Sequence, residues 1–495
     1  MRILYFDIDS LRPDHLGCYG YQRQTSPTID SLAAEGIRFE NVYISDAACM
    51  PSRTALFSGR FGVHTGAVNH GGVRSEAFPE GAGRNFRSTW AQSSWPAALR
   101  DAGLRTATIS SFGERHAAYW WYAGFQEILS PGRLAQDEMA DDTADLAVDW
   151  LQRHGEDDNW FLHVNFWDVH VPYRAPADFG DPFAREPLPD WYTEEVLALH
   201  LAHSYGPNSA RHGIVWRNGR SHYEGAYPRQ PVRFDDMTQA RRMFDGYDTA
   251  IRYVDQAIER ILHKLAALGI LDDTAVIVSA DHGENLGELN IYMDHATADH
   301  VTMHVPLIVR WPGLPQGHVD TALHYQVDLA ATVIELAGGR VPANWDGESF
   351  AAELRNAAPR GRSHLVLSQL THSCQRAVRF DDFIAIHSYH DAYRCLPDTL
   401  LFDVVADPHE QNDLAPQHPD LVQRAAVLLV AWERTMMQTA THPHDPLWTV
   451  LAEGGGFHAR NALPSLIDWL DQQGQHTNAE RMRARYLFTH QPSGA

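Results

Sequence analysis

Three groups of side chains in this sequence could do chemistry. The first is Cys49-Met50-Pro51-Ser52-Arg53, continued by Leu56 and Gly59-Arg60, on a turn that leads into a helix. A cysteine in that position is either a nucleophile or a buried thiol beside a helix N-terminus. Arg53 offers a planar fork of donors that could support charge at residue 49, or it is a surface arginine. The second group is Asp9, at the end of the first strand, with Asp281-His282 at the end of a later one. Carboxylates delivered from neighbouring strand ends can share one hard divalent cation such as Ca²⁺. The simpler reading of Asp281-His282 is a strand-to-helix cap. Asp7 faces the same side as Asp9 by strand alternation and reads as a buried, hydrogen-bonded carboxylate. The third group is histidines suited to proton transfer: His170 in Asp168-Val169-His170-Val171-Pro172-Tyr173, His116 in Gly113-Glu114-Arg115-His116, and His295, ten residues before Val305. With 29 histidines in the chain, any single one is more often structural or solvated than catalytic.

These groups need a frame. Short β-type runs alternate with amphipathic helical stretches, the pattern of an α/β sheet covered by helices on both faces. Strands are predicted at 3–6, 104–110, 160–166, 275–279 and 305–310, and the longest helix at 237–268. Each motif falls at a strand end, and in open α/β sheets ligands bind beyond the carboxyl ends of the strands, where the following loops converge. The alternation breaks near Gly338-Gly339 and Pro342, which places a domain boundary at about residue 350. The run Gly454-Gly455-Gly456 before Phe457-His458 predicts a loop lying close to something else.

Composition narrows the function. The chain has 495 residues, 44% of them hydrophobic, and a formal net charge of −23. That charge argues against nucleic acid or an anionic membrane as partner, so an anionic small substrate would need a locally positive pocket. Four scattered cysteines, Cys18, Cys49, Cys374 and Cys395, form no disulfide framework and no paired metal spacing. The N-terminus runs straight into Ile3-Leu4-Tyr5-Phe6 with no signal-like segment, which gives a cytoplasmic expectation. No apolar run approaches the roughly 20 residues needed to cross a bilayer.

Cys49-x-Pro51-Ser52-Arg53 followed by Leu56 and Gly59-Arg60 resembles the signature of the sulfatases. The resemblance implies an alkaline-phosphatase-like sandwich: a large central mixed sheet flanked by helices in a catalytic domain (1–350), then a C-terminal domain (351–495) with a small antiparallel sheet and a helical tail. It implies that a formylglycine-generating enzyme oxidises Cys49 to an aldehyde whose hydrate attacks sulfur. It also implies one divalent cation, Ca²⁺ by preference, held by Asp9, Asp281, His282 and residue 49. Where the family has Asp-Asp after the first strand this chain has Asp9-Ser10, one carboxylate fewer. His170 matches the family's His-x-Pro-Tyr loop and is assigned the general acid. Arg115 and His116 fall near the family's Lys-x-His, although in strict register Ser111 and Gly113 occupy those places. His295 stands where the family has a sulfate-binding lysine. The only lysine is Lys264, on the long helix, so histidine or arginine must charge the pocket, and an ordinary histidine, pKa about 6.5, would lose that charge as pH rises. His372, His442 and His458 are assigned to the pocket.

The resemblance covers residues 1 to about 415. Residues beyond it are assigned to a cap over the site or to a subunit contact, so a homo-oligomer stays open. The implied substrate is a small sulfated sugar, as ester or sulfamate. A phosphonate monoester or phosphodiester hydrolase on the same fold is the first alternative, and a non-catalytic binding protein the second.

Overall fold

The computed structural model describes residues 1–80, 90–132, 138–203, 206–213, 229–356 and 360–487. Fifteen strands among them follow in chain order: β1 (Arg2–Ile8), β2 (Ile37–Tyr43), β3 (Asp46–Ala47), β4 (Arg105–Ile109), β5 (Glu127–Leu129), β6 (Trp160–Phe166), β7 (Thr274–Ala280), β8 (Asn285–Leu286), β9 (Tyr292–Asp294), β10 (Leu307–Arg310), β11 (His318–Tyr325), β12 (His364–Gln369), β13 (Cys374–Phe380), β14 (Phe383–His390) and β15 (Thr399–Asp403).

Eight of them form one sheet in the order β11-β2-β10-β7-β1-β6-β4-β5. β1 pairs in parallel with β6 and β7, β4 with β6, and only β10 runs against its neighbours, so the sheet is mixed. The central strands are apolar almost throughout because both faces are covered: every residue of β6 and β7 is buried. One helical layer contains Pro27–Glu35, Ala140–His154 and Met237–Ala267; another contains Cys49–Ser58, Trp95–Asp101 and Val327–Leu336. The long helix starts where its sequence predicts, on an Asp236 and Gln239 capping box.

The second sheet, β15-β14-β13-β12-β3, is antiparallel except for the β12–β3 pair. β3 comes from the N-terminal part of the chain and ends two residues before Cys49. The smaller sheet therefore helps to fix where the Cys49–Ser58 helix begins. That helix ends on Gly59, at φ +63° and with Trp345 lying where a Cβ would be, so no other residue fits there. The apolar core runs without a break from Ile3 to Val404, across residue 350. The architecture is the two-sheet α/β sandwich expected. No helix among the described residues is long and apolar enough to span a membrane.

Candidate active site

Parallel strands deliver their C-terminal ends to one edge, so β1, β7, β6 and β4 bring Asp9, Asp281-His282, His170 and Arg115-His116 together. Cys49 forms the floor of a cavity of about 300 Å³ on that edge. Its Sγ lies 3.1 Å from His282 Nε2. Asp9, Cys49, Asp281 and His282 are all buried, with one ligand atom from each within 4.8 Å of the others.

Arg53 is not a surface residue; it is 1% exposed and ties this floor together. Its Nε donates to Asp7 at 2.6 Å, and Nη1 donates to both Asp9 (2.9 Å) and Asp281 (2.6 Å). Asp7 takes the hydrogen-bonded role expected of it. Burial alone would raise its pKa, but the Arg53 charge and His163 bring it down to about 2. Ser10, where the family has a carboxylate, orients ligands instead: its N–H donates to Asp281 Oδ1 (3.1 Å) and its hydroxyl to Asp9 Oδ1 (3.3 Å). The His282 Nδ1–H donates to the Gly283 carbonyl (2.8 Å), which turns Nε2 toward Cys49 and the carboxylates.

The floor fits a divalent cation by charge. Asp7, Asp9 and Asp281 share the one guanidinium of Arg53 in a buried site, and burial, then Asp9 and Asp7, push the Asp281 carboxyl well above the ordinary range, a crowding of carboxylates that a divalent cation relieves. The same negative surroundings act on Cys49. Burial first, then Asp9 and Asp281, push its thiol well above the ordinary range.

Above Cys49 stand His170 and His295, each with a ring nitrogen within 4.8 Å of Sγ. His170 stacks on Trp167 and gives its Nδ1–H to the Val171 carbonyl (2.6 Å), leaving Nε2 for the pocket. Burial and the nearby His295 charge hold its pKa well below the ordinary value. His295 behaves oppositely. Burial lowers its pKa, but the Glu284 carboxylate 3.3 Å from Nδ1 outweighs this and lifts it to about 9. The expectation that this histidine would lose its charge near pH 6.5 is therefore corrected: Glu284 keeps it cationic through neutral pH.

The other predicted residues divide. His116 lines the cavity, with a buried Nε2 that has no partner. Arg115 lies behind the wall, its guanidinium over Trp167 and its NH groups given to Glu138, Ser111 and Asn165. His372 and His458 reach the rim and stack at 4.3 Å. His442 does not: it stacks on Phe78 near Glu80, outside the cavity. Four residues were missed by sequence reasoning. His70 accepts from Met50 N–H (3.4 Å) at Nε2 and contacts His458 Nε2 through Nδ1 (2.9 Å). Arg394 and Asp294 form an ion pair in the wall (2.7 Å), and Glu284 sets the charge of His295. Asp294, next to His295, and Glu284, two residues after His282, could have been found by adjacency; nothing in the sequence marks Arg394 or His70.

A larger hollow, about 570 Å³, lies between Phe61, Tyr325, Arg362 and Trp432, but it shares no residue with this cluster. Chemistry rather than volume selects the site.

The family model described as Sulfatase matches residues 2–339, and that of the N-sulphoglucosamine sulphohydrolase C-terminal region matches residues 287–429. The chain is similar to the N-acetylglucosamine-6-O-sulfatase of Bacteroides thetaiotaomicron, 23% identical, with 91% of this chain and 89% of that one covered. Among solved structures it superposes on a protein in complex with its substrate D-glucosamine-2-N,6-O-disulfate (TM-score 0.67, 19% identity, 88% of this chain and 98% of that one). It superposes equally on the phosphonate monoester hydrolase of Silicibacter pomeroyi (TM-score 0.66, 19% identity, 89% and 96% covered). At such identities these structures establish the alkaline-phosphatase-like fold alone. The family match extends over more than half of the chain and includes the Cys49 signature and its buried floor, and the protein is a member of the sulfatase family.

Proposed function

We propose that the protein removes sulfate from a small sulfated sugar, as an ester or sulfamate, using residue 49 after its conversion to formylglycine. The observation that carries this reading is the placement of Cys49 between an anionic floor and two histidines. Cys49 also opens the Cys-x-Pro-Ser-Arg run inside the matched family region, which supports a modified residue there. Asp9, Asp281, His282 and residue 49 would hold the cation, with Ca²⁺ the proposed ion. The modified side chain would supply a nucleophilic oxygen, and the ion would supply Lewis acidity and positive potential.

The chain's own residues then have separable tasks. Arg53 fixes Asp9 and Asp281 and neutralises part of their charge. His295, kept cationic by Glu284, binds the sulfuryl oxygens in place of the family's lysine. His170, its Nδ1–H held by the Val171 carbonyl, presents Nε2 to the leaving oxygen or nitrogen; burial and His295 lower its pKa, so it takes up a proton from solvent at Nε2 beside the negative sulfate and then passes it to the leaving atom. His116 is the base assigned to collapse of the sulfated intermediate.

The sugar assignment is supported by the named activity of the Bacteroides relative and by the glucosamine disulfate bound in the structural neighbour. Desulfation of a panel of sulfated mono- and disaccharides, beside an aryl sulfate and a phosphonate monoester and with and without a chelator, tests it. The expected result is turnover of a sulfated sugar that stops reversibly on chelation. Faster turnover of the phosphonate monoester would overturn the substrate assignment, and indifference to chelators the metal assignment.

A further inference from the structure

Asp294, His295 and His372 form a second set of ligand atoms, all within 4.8 Å of one another, at the upper wall of the cavity and apart from the floor carboxylates. Asp294 ends β9, His295 follows it, and His372 lies in the turn between β12 and β13. Each has its outward atom already pinned. Thr371 Oγ1 donates to Gln369 (2.6 Å), so it must accept from His372 Nδ1–H (3.1 Å), and His372 Nε2, with its lone pair, faces Asp294 Oδ1 at 3.3 Å. His295 Nδ1–H faces the Glu284 carboxylate, which leaves Nε2, whose proton a bound cation displaces to solvent. Asp294 Oδ2 accepts from Arg394 Nη2 (2.7 Å) and Oδ1 accepts from the His295 N–H (2.9 Å), which leaves the second lone pair of Oδ1. Partners of this kind, a carboxylate or hydroxyl behind each imidazole and a donor behind the carboxylate, orient metal ligands.

We infer that Asp294, His295 and His372 bind a borderline divalent cation of the Zn²⁺ class, separate from the cation of the floor. Two imidazoles and one carboxylate suit Zn²⁺ better than Ca²⁺, and three protein ligands leave one coordination position open toward the cavity. Such an ion would occupy His295 and block the space above Cys49, so Zn²⁺ would inhibit in competition with substrate. The inhibition rests on the reading of the cavity as the substrate site; the binding does not.

The test uses the full chain with residue 49 left as cysteine, saturated with Ca²⁺ and titrated with Zn²⁺ by calorimetry. One Zn²⁺ per chain is expected, weakened at least about tenfold in His372→Ala and also weakened in Thr371→Val, with Ca²⁺ binding retained as the control for folding. Co²⁺ in place of Zn²⁺ should give tetrahedral visible bands without a thiolate charge-transfer band. Equal Zn²⁺ affinity in His372→Ala, no Zn²⁺ beyond Ca²⁺ saturation, or a thiolate band placing the ion on Cys49 would each overturn the site. In the mature enzyme, Zn²⁺ that binds with these properties but does not compete with an aryl sulfate would leave the metal site standing and count against the substrate assignment.

Discussion

The floor and the rim of the cavity are built differently. The floor comes from the ends of parallel strands, is sealed from solvent, and is held by charge: Arg53 spans three carboxylates that sit at most 1% exposed. The rim comes from the turns of the second sheet and from the turn between the helices Pro446–Ala452 and Leu463–Gln472. His458 arrives on a segment beyond both family models, and Gly456 lets its backbone lie so close to Thr371 and His372 that a Cβ would meet the His372 carbonyl at 2.4 Å. Leu463, Leu466 and Leu470 pack against Ala392 and Tyr393, in the loop that carries Arg394. A strand end places a side chain through the whole sheet, whereas a loop places it through a few local contacts. The floor should therefore be intolerant of change, and the rim should be where substrate choice is adjusted.

The largest effect on stability is expected at the centre of the floor. Arg53→Ala leaves Asp7, Asp9 and Asp281 without their shared donor, and removing one partner of a buried charge network costs about 3–5 kcal/mol. Denaturant unfolding should show that loss, with activity falling by at least about 10³-fold as the preorganised charge is lost. A variant of unchanged stability would mean that the carboxylates do not depend on Arg53.

His295→Ala tests the step from floor to wall, with an expected loss in kcat/KM on the order of 10²–10³-fold. Its pH dependence sharpens this. His295 is protonated below its pKa of about 9, so kcat/KM should hold through neutral pH and fall only as pH rises through that value. Glu284→Gln removes the carboxylate that raises the pKa, and the fall should move down toward the ordinary histidine value of about 6.5. Activity at pH 8 would then drop while activity at pH 6 changes little; a profile identical to wild type would separate Glu284 from the charge of the pocket. His295→Lys should flatten the dependence.

The smallest effect belongs to the rim. His458→Ala should raise KM roughly fivefold, about 1 kcal/mol of binding, with kcat within about twofold. A loss as large as that of His295→Ala would erase the distinction between the two regions.

Legibility followed the same division. β6 was predicted to the residue, and β4, β7 and the long helix within one or two residues, because continuous burial writes unbroken apolar runs and a capping box marks the Met237 start. Cys49, Asp9, Asp281, His282 and His170 were found because they stand at strand ends or in a motif of fixed spacing. Arg394, His70 and the exclusion of His442 depend on how β13, β14 and the C-terminal helices pack, which leaves no local periodicity to read. The raised pKa of His295 required knowing that Glu284, eleven residues earlier, folds back onto its ring.

The most direct measurement is the mass of the peptide containing residue 49, set beside the activity of the same sample, from hosts with and without a formylglycine-generating enzyme. The expected result is activity in proportion to the fraction of Cys49 converted to aldehyde, and loss on the order of 10⁵–10⁶-fold in a folded Cys49→Ser or Cys49→Ala variant. Full activity in protein whose residue 49 remains an intact thiol, or in either folded variant, would contradict it.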